Sequence, residues 1–164
     1  MGNGPMSSQR GVTLLEVLIV AGILAGVMGS VWLAQPLLAR IALRTAAVTL
    51  IADLRLVQAR AMAERQPDRG HGIEFPAGGS RYNIFTRTGS VATVVREQRL
   101  HDRVRLTYAH FGGATPTSVF FTGVSLFGAP SGGGTVTLTA GGARLCVRVL
   151  PATGRIRVSN TSCP

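Results

Sequence analysis

The chain has 164 residues, which is enough for one domain with a single core, so a multidomain enzyme with separate cofactor and substrate modules is not expected. Its 17 basic residues are all arginine and face seven acidic residues, and the resulting net charge of +10 favours anionic partners such as nucleic acid, phospholipid head groups or acidic proteins. Apolar residues make up 46% of the chain and charged residues 15%, a balance that fits neither an ordinary soluble domain nor a multispan membrane protein.

One segment accounts for the apolar excess. The 24 residues that start at Gly11 carry a single charged side chain, Glu16. At about 1.5 Å per residue they form a helix of roughly 36 Å, long enough to cross a hydrocarbon layer of about 30 Å. We therefore predict a polar leader over residues 1–11 and one membrane-spanning helix over residues 12–35.

The junction between leader and helix has a specific pattern. The leader ends in Arg10-Gly11, and Glu16 is the fifth residue after Gly11. A carboxylate inside a lipid-spanning helix costs up to about 3 kcal/mol, so it ordinarily needs a positively charged partner. The arrangement resembles the type III signal of type IV pilins and type II secretion pseudopilins.

That resemblance implies three roles. A prepilin peptidase on the cytoplasmic side is expected to cleave between Gly11 and Val12 and to methylate the new terminus at Val12, although Phe or Met is more usual there. Glu16 is expected to pair with the terminal amine of a neighbouring subunit during assembly. The alternative from the residues alone is an uncleaved signal anchor whose Glu16 lies near the membrane interface.

The second part of the helix is predicted to be amphipathic. Apolar residues recur at three- and four-residue steps after Pro36, with charged residues such as Asp53 between them. We expect this helix over residues 36–66, kinked at Pro36 and stopped by Pro67. Its apolar face should pack on the domain that follows.

Residues 67–164 are predicted to be rich in β-strands. Eight short runs of β-branched and aromatic residues alternate with clusters of Gly, Pro, Ser and Asn, at residues 72–75, 81–86, 92–95, 104–108, 119–122, 135–139, 145–150 and 155–158. The glycine-rich segment 128–134 is expected to be a hairpin loop, because it lacks the Gly-Lys-Ser/Thr ending of a phosphate-binding loop. The fold class is α+β, with one long N-terminal helix packed on an antiparallel sheet or small sandwich.

The predicted strands of the C-terminal part make the family resemblance more specific. The string Val-Phe-Phe-Thr-Gly at 119–123, the glycine-rich segment and the runs at 135–138, 144–149 and 154–158 are similar to the GspH/FimT class of minor pseudopilins. This resemblance covers nearly the whole chain. It implies a pilin-like fold, a single pass through the bacterial inner membrane with the C-terminal domain on the periplasmic side, and assembly with other pilins or pseudopilins.

Cys146 and Cys163 are the two cysteines of the chain. The family resemblance places them outside the cytoplasmic membrane, where disulfides persist, so we expect a bridge. It would close a loop of 18 residues, worth about 3 kcal/mol by chain-entropy arguments. The alternative is two buried free thiols.

The C-terminal segment from residue 140 onward contains four arginines and no Asp or Glu: Arg144, Arg148, Arg155 and Arg157. On a strand, Arg155 and Arg157 would share one face about 7 Å apart. Gly154-Arg155-Ile156-Arg157 also resembles the motif by which FimT-type pilins of naturally competent bacteria bind DNA. It implies sequence-independent, salt-sensitive binding of double-stranded DNA. The alternative is a solvated strand face without a ligand.

No constellation of residues indicates catalysis, a metal site or a cofactor. His71, His101 and His110 have no cysteine or carboxylate at ligand spacing and are expected at the surface or at strand edges. Two functions therefore stay open. One is a minor pilin that initiates or caps a type IV pilus and binds DNA during uptake, and the other is a GspH-like type II secretion pseudopilin that contacts only other subunits or exported proteins.

Overall fold

The computed structural model describes residues 13–76, 78–112, 116–124, 128–160 and 163, and within residues 30–33 it describes the backbone alone. The predicted cleavage site at Gly11 and Val12 lies outside the described residues. The chain divides into two compact units, Met1–Gln35 and Pro36–Pro164.

Helix α1 spans Leu14–Glu64. Thr13 forms its N-cap, because the Glu16 N–H donates a hydrogen bond to Thr13 Oγ1 over 3.3 Å. In the first unit the described large apolar side chains from Leu14 to Met28 are all more than half-exposed. This part of the helix has a mean hydropathy of 2.3 over 18 residues, and by length and composition it can cross a membrane.

The second part of α1 ends earlier than predicted. The helix continues without interruption through Pro36, which confirms that this proline does not end it; the kink stays a prediction. It stops at Glu64, because Arg65 adopts a left-handed backbone conformation with φ 48°. The helix therefore ends at Glu64, two residues before the predicted end at residue 66.

Eight strands follow within the part of the chain that the structure describes, as predicted, and all their pairings are antiparallel. They are β1 (Arg69–Glu74), β2 (Arg81–Thr88), β3 (Val91–Arg99), β4 (Arg105–Phe111), β5 (Ser118–Thr122), β6 (Gly134–Ala140), β7 (Ala143–Val149) and β8 (Ile156–Ser159). The first sheet has the order β3-β2-β1-β5, and the second has the order β4-β6-β7-β8. The α+β prediction is confirmed, with two sheets.

The glycine-rich segment 128–134 is not a hairpin loop, so that prediction was wrong. β5 pairs with β1, whereas β6 pairs with β4 and β7, and the segment therefore connects the two sheets. Pro130 forms an isolated bridge with Phe121, and Gly134 already belongs to β6. Neighbouring strands in the sequence are not always neighbours in a sheet.

One face of α1 and both sheets share a single core. The buried helix face is rich in alanine, which lets the sheets approach the helix closely, and it consists of Ala39, Ala42, Leu43, Ala46, Ala47, Leu50, Leu54, Val57 and Ala61. The first sheet contributes Ile73, Tyr82 and Phe121, and the second contributes Leu138 and Val147. The predicted packing of the amphipathic half is thereby confirmed.

A charged side chain lies on this buried helix face. Asp53 is 7% exposed and accepts hydrogen bonds from the Tyr82 hydroxyl at 2.6 Å and from Arg96 Nη2 at 2.7 Å. Tyr82 lies on β2 and Arg96 on β3, so one carboxylate joins the helix to two strands. A buried carboxylate is tolerated here because both of its oxygens have donors.

His71 is buried, whereas the sequence predicted it at the surface or at a strand edge. It lies on β1, which is an inner strand of the first sheet, and is 6% exposed, whereas His101 and His110 are exposed as expected. Its Nε2 is 3.0 Å from Glu64 Oε2 in a bent contact, and its Nδ1 is 3.3 Å from Thr86 Oγ1. The contact with His71 is the main reason that the pKa of Glu64 lies below its usual value. It ties the end of α1 to β1.

Gly72 on β1 should tolerate no side chain. A Cβ at this position would lie 2.6 Å from both Phe85 Cζ and the Val119 carbonyl oxygen, since the Phe85 ring extends across the glycine. We expect Gly72→Ala to lower the free energy of unfolding by about 2–3 kcal/mol in urea denaturation. The matched control is Gly112→Ala, whose nearest neighbour would be 3.7 Å away, and an equal loss there would contradict this account.

Candidate functional site

Two regions contain the predicted site residues, and the first is the start of α1. Glu16 occupies the first turn of the helix and its side chain is exposed. Within the described residues its carboxylate makes no ion pair. Acidic side chains are favourable in a first helical turn, but this position leaves the carboxylate open to a cation from another molecule.

The second region is the outer face of the second sheet. Strand pairing places Arg148 directly opposite Arg157, so these two side chains share a face. Arg144 lies four residues before Arg148 on β7 and points to the same side. The side chains at alternate positions, Leu145, Val147 and Val149, face the core. Three of the four predicted arginines therefore share one sheet face.

Arg155 lies outside the strand on which the sequence predicted it. Strand β8 begins at Ile156, so Arg155 belongs to the turn before the strand. Its carbonyl oxygen accepts a hydrogen bond from the Leu150 N–H at 3.0 Å, and its own N–H donates to Thr153 Oγ1 at 3.3 Å. These bonds hold its backbone next to the strand, and its side chain is exposed.

The turn that carries Arg155 is fixed to the helix. The Gln58 side-chain amide donates to the carbonyl oxygens of Gly128 at 2.9 Å and Gly154 at 3.4 Å. Gly154 has a φ of 62° and is buried, and a Cβ there would meet Gly128 O at 2.5 Å. Glycine is thus required at the first position of the Gly-Arg-Ile-Arg sequence by conformation and by space.

The two sheets differ in their content of acidic residues. Arg69, Arg81, Arg96 and Arg99, around the first sheet, each lie within 3.6 Å of a carboxylate oxygen. The last acidic residue in the sequence is Asp102, so β4, β6, β7 and β8 contain no Asp or Glu. The strands of the second sheet therefore contribute basic side chains and no acidic ones to its outer face.

Cys146 and Cys163 form a disulfide, as predicted, with 5.6 Å between their Cα atoms. Cys146 lies on β7 between Arg144 and Arg148, and the bridge attaches Cys163 to the basic face. Thr137 on β6 lies opposite Cys146, is 2% exposed and has its hydroxyl 3.4 Å from Cys146 Sγ.

Sequence reasoning missed part of this face. Tyr108 and His110 on β4 pair with Thr137 and Thr135 of β6, which places both on the same side as the arginines. Arg105 at the start of β4 pairs with Thr139 and joins them. A shift of register between Leu106 and Tyr108 produces this orientation, and simple alternation along β4 would have turned Tyr108 toward the core.

Comparisons with known proteins agree with the fold and the N-terminal pattern. Residues 46–153 match the family described as Type II transport protein GspH, and residues 6–32 match the prokaryotic N-terminal methylation motif. The crystal structure of the type IV minor pilin FimU of Pseudomonas aeruginosa strain PAO1 is similar in fold, with a TM-score of 0.52 and 19% identity. The match covers 74% of this chain and 97% of that chain.

None of the curated proteins matches the chain. The GspH match covers well over half of the sequence, and the methylation motif lies where the leader and the apolar helix meet. The chain therefore belongs to the GspH family and is a minor pilin or pseudopilin with an N-terminal methylation motif.

Proposed function

We propose that this chain is a minor subunit of a type IV pilus that initiates or caps the filament and binds double-stranded DNA through its second sheet. In this proposal residues 1–11 are the leader, residues 12–35 the membrane and assembly helix, and residues 67–164 the β-rich periplasmic domain. The amphipathic part of the helix lies between them and ends at Glu64.

Assembly begins at the N-terminus in this proposal. A prepilin peptidase cleaves between Gly11 and Val12, on the cytoplasmic side of the inner membrane, and methylates Val12. Glu16 then pairs with the terminal amine of a neighbouring pilin or pseudopilin. The match to the methylation motif and the exposed Glu16 carboxylate in the first turn support this sequence of events.

The observation that carries the DNA-binding proposal is the register of the second sheet. It places Arg144, Arg148 and Arg157 on one face without a carboxylate in any of the four strands, and the exposed Arg155 precedes β8. Guanidinium groups donate paired hydrogen bonds to phosphate oxygens. Contacts of this kind give binding that is independent of base sequence and weakened by salt.

The test is binding of duplex DNA by the full chain in a non-ionic detergent, followed by fluorescence anisotropy over a salt titration. We expect the Arg155→Ala/Arg157→Ala variant to bind at least tenfold more weakly at low salt. The slope of log affinity against log salt should decrease by about two, one for each lost phosphate contact.

The matched control is Arg81→Ala/Arg99→Ala. These two arginines lie opposite each other on neighbouring strands of the first sheet, and both contact Glu97. The control removes the same charge and should retain most of the affinity. An equal loss in both variants would show that net charge alone drives binding.

A second function is favoured by the family match, whose description is that of a type II transport protein. In that case the chain is a type II secretion pseudopilin, and its β-rich domain contacts other minor pseudopilins or exported proteins. Absence of DNA binding by the wild-type chain at low salt would favour this function, because even weak phosphate contacts are detectable there.

A further inference from the structure

We propose that the basic face of the second sheet holds nucleic acid with unpaired bases, one of which stacks on Tyr108 beside His110. This inference rests on the proposed function, since it requires that the face binds nucleic acid, and it extends that function from duplex DNA to strands with unpaired bases. It adds a second chemical contact, to a base, to the phosphate contacts of the arginines.

The register of the sheet makes the face continuous. One row of paired residues crosses all four strands, from His110 through Thr135 and Arg148 to Arg157. Three strand spacings of about 4.8 Å make this row roughly 14 Å long. An extended strand lying along it would contact guanidinium groups at one end and aromatic rings at the other.

The shift of register in β4 orients the aromatic side chains. After it, Ala109 and Phe111 face the core, and Tyr108 and His110 face outward. Tyr108 is 39% exposed, and its ring stacks with that of His110 at a centroid distance of 6.3 Å and an interplanar angle of 23°. Two nearly parallel rings on a solvated face leave π-surface open to a further ring.

The chemistry of this pair indicates unpaired bases. In a duplex the bases are stacked inside the helix, and a flat sheet reaches mainly the phosphates. Four-stranded sheets that bind single strands use aromatic side chains on the sheet face to stack bases, beside basic groups that hold the backbone. The second sheet combines both features, with Arg105 and Arg144 forming a further cationic row on the other side of Tyr108.

The experiment compares two single strands with the same number of phosphates, a labelled oligothymidylate and an abasic strand of equal length. Binding to the full chain in non-ionic detergent is measured by fluorescence anisotropy. We expect the wild type to bind the oligothymidylate about tenfold more tightly, since stacking on one aromatic side chain contributes an effect of that order.

Variants separate stacking from charge. Tyr108→Ala should bind the two strands equally without losing affinity for the abasic one, and Tyr108→Phe should keep the preference for bases. Arg155→Ala/Arg157→Ala should weaken binding of both strands. Thermal unfolding of each variant checks that the exposed substitutions leave the fold intact.

Two results would overturn the inference, and they differ. Equal binding of both strands by the wild type, or an equal loss for both in Tyr108→Ala, removes the stacking contact and leaves phosphate binding in place. Absence of binding to either single strand at low salt removes this inference, and absence of duplex binding as well removes the nucleic-acid function itself.

Discussion

Glu16→Ala is expected to be processed and inserted into the membrane normally but to be nearly absent from filaments. A carboxylate in an apolar helix costs up to about 3 kcal/mol unless a cation meets it. Within the described residues Glu16 makes no ion pair, and we expect its partner to be the terminal amine of a neighbouring subunit. Alanine removes the cost in the membrane together with the attraction that selects the neighbouring subunit.

The measurement is the amount of the chain in sheared filaments relative to the membrane fraction, by immunoblotting. We expect a decrease of at least tenfold for Glu16→Ala. Val20→Ala, one helical turn further along, changes size without changing charge and should assemble like the wild type. A Gly11→Leu chain supplies the unprocessed size marker, and undiminished incorporation of Glu16→Ala would rule out the docking role.

Asp53→Ala is expected to destabilise the domain strongly. It removes the acceptor shared by Tyr82 and Arg96, leaving a buried hydroxyl and a half-buried guanidinium without this partner. Such losses amount to about 3 kcal/mol. In thermal unfolding this corresponds to a decrease in Tm of roughly 10 °C for a domain of this size.

Tyr82→Phe is the matched variant, because it keeps the ring and removes only the hydroxyl. It should cost about 1 kcal/mol, since Asp53 keeps its contact with Arg96. A loss for Asp53→Ala no larger than that for Tyr82→Phe would contradict a shared role of the carboxylate. The double variant measures the coupling between the two side chains directly.

The contact between Tyr82 and Asp53 predicts that the stability of the domain depends on pH. Burial, and then the hydrogen bond to Asp53, raises the pKa of the Tyr82 hydroxyl above its ordinary value of 10.0. The folded state therefore holds this proton more tightly than the unfolded state. The resulting stability is fully present below pH 10 and decreases as the pH rises above it, a decrease that Tyr82→Phe should reduce.

The elements of the fold were predictable because each depends on local patterns. All eight strands lie at the predicted runs, and the helix ends two residues before the expected position. The division into two sheets was not predictable, since it depends on β5 pairing with β1 across more than 40 residues of chain. The burial of Asp53 likewise depends on partners far away in the sequence, Tyr82 and Arg96, and that of His71 on the inner position of β1 in the first sheet.

The candidate site could likewise be predicted only in part from the sequence. The arginines of the C-terminal segment could be selected from the sequence because no acidic residue lies among them, and strand alternation then gives Arg144 and Arg148 a common face. Tyr108 and His110 could not be added, because one unpaired residue in β4 decides which way they point. The local sequence Leu-Thr-Tyr-Ala-His carries no signal for that shift.

The attachment of β8 has a mechanical consequence. A polymer bound to Arg155 and Arg157 would pull on this edge strand, and an edge strand held by a ladder alone can peel away one bond at a time. Here the turn before β8 is tied to α1 through Gln58, and the segment after it is joined covalently to β7 through Cys163. Tension on the bound polymer would thus be shared between the sheet and the long helix. Both ends of β8 are held against separation from the sheet.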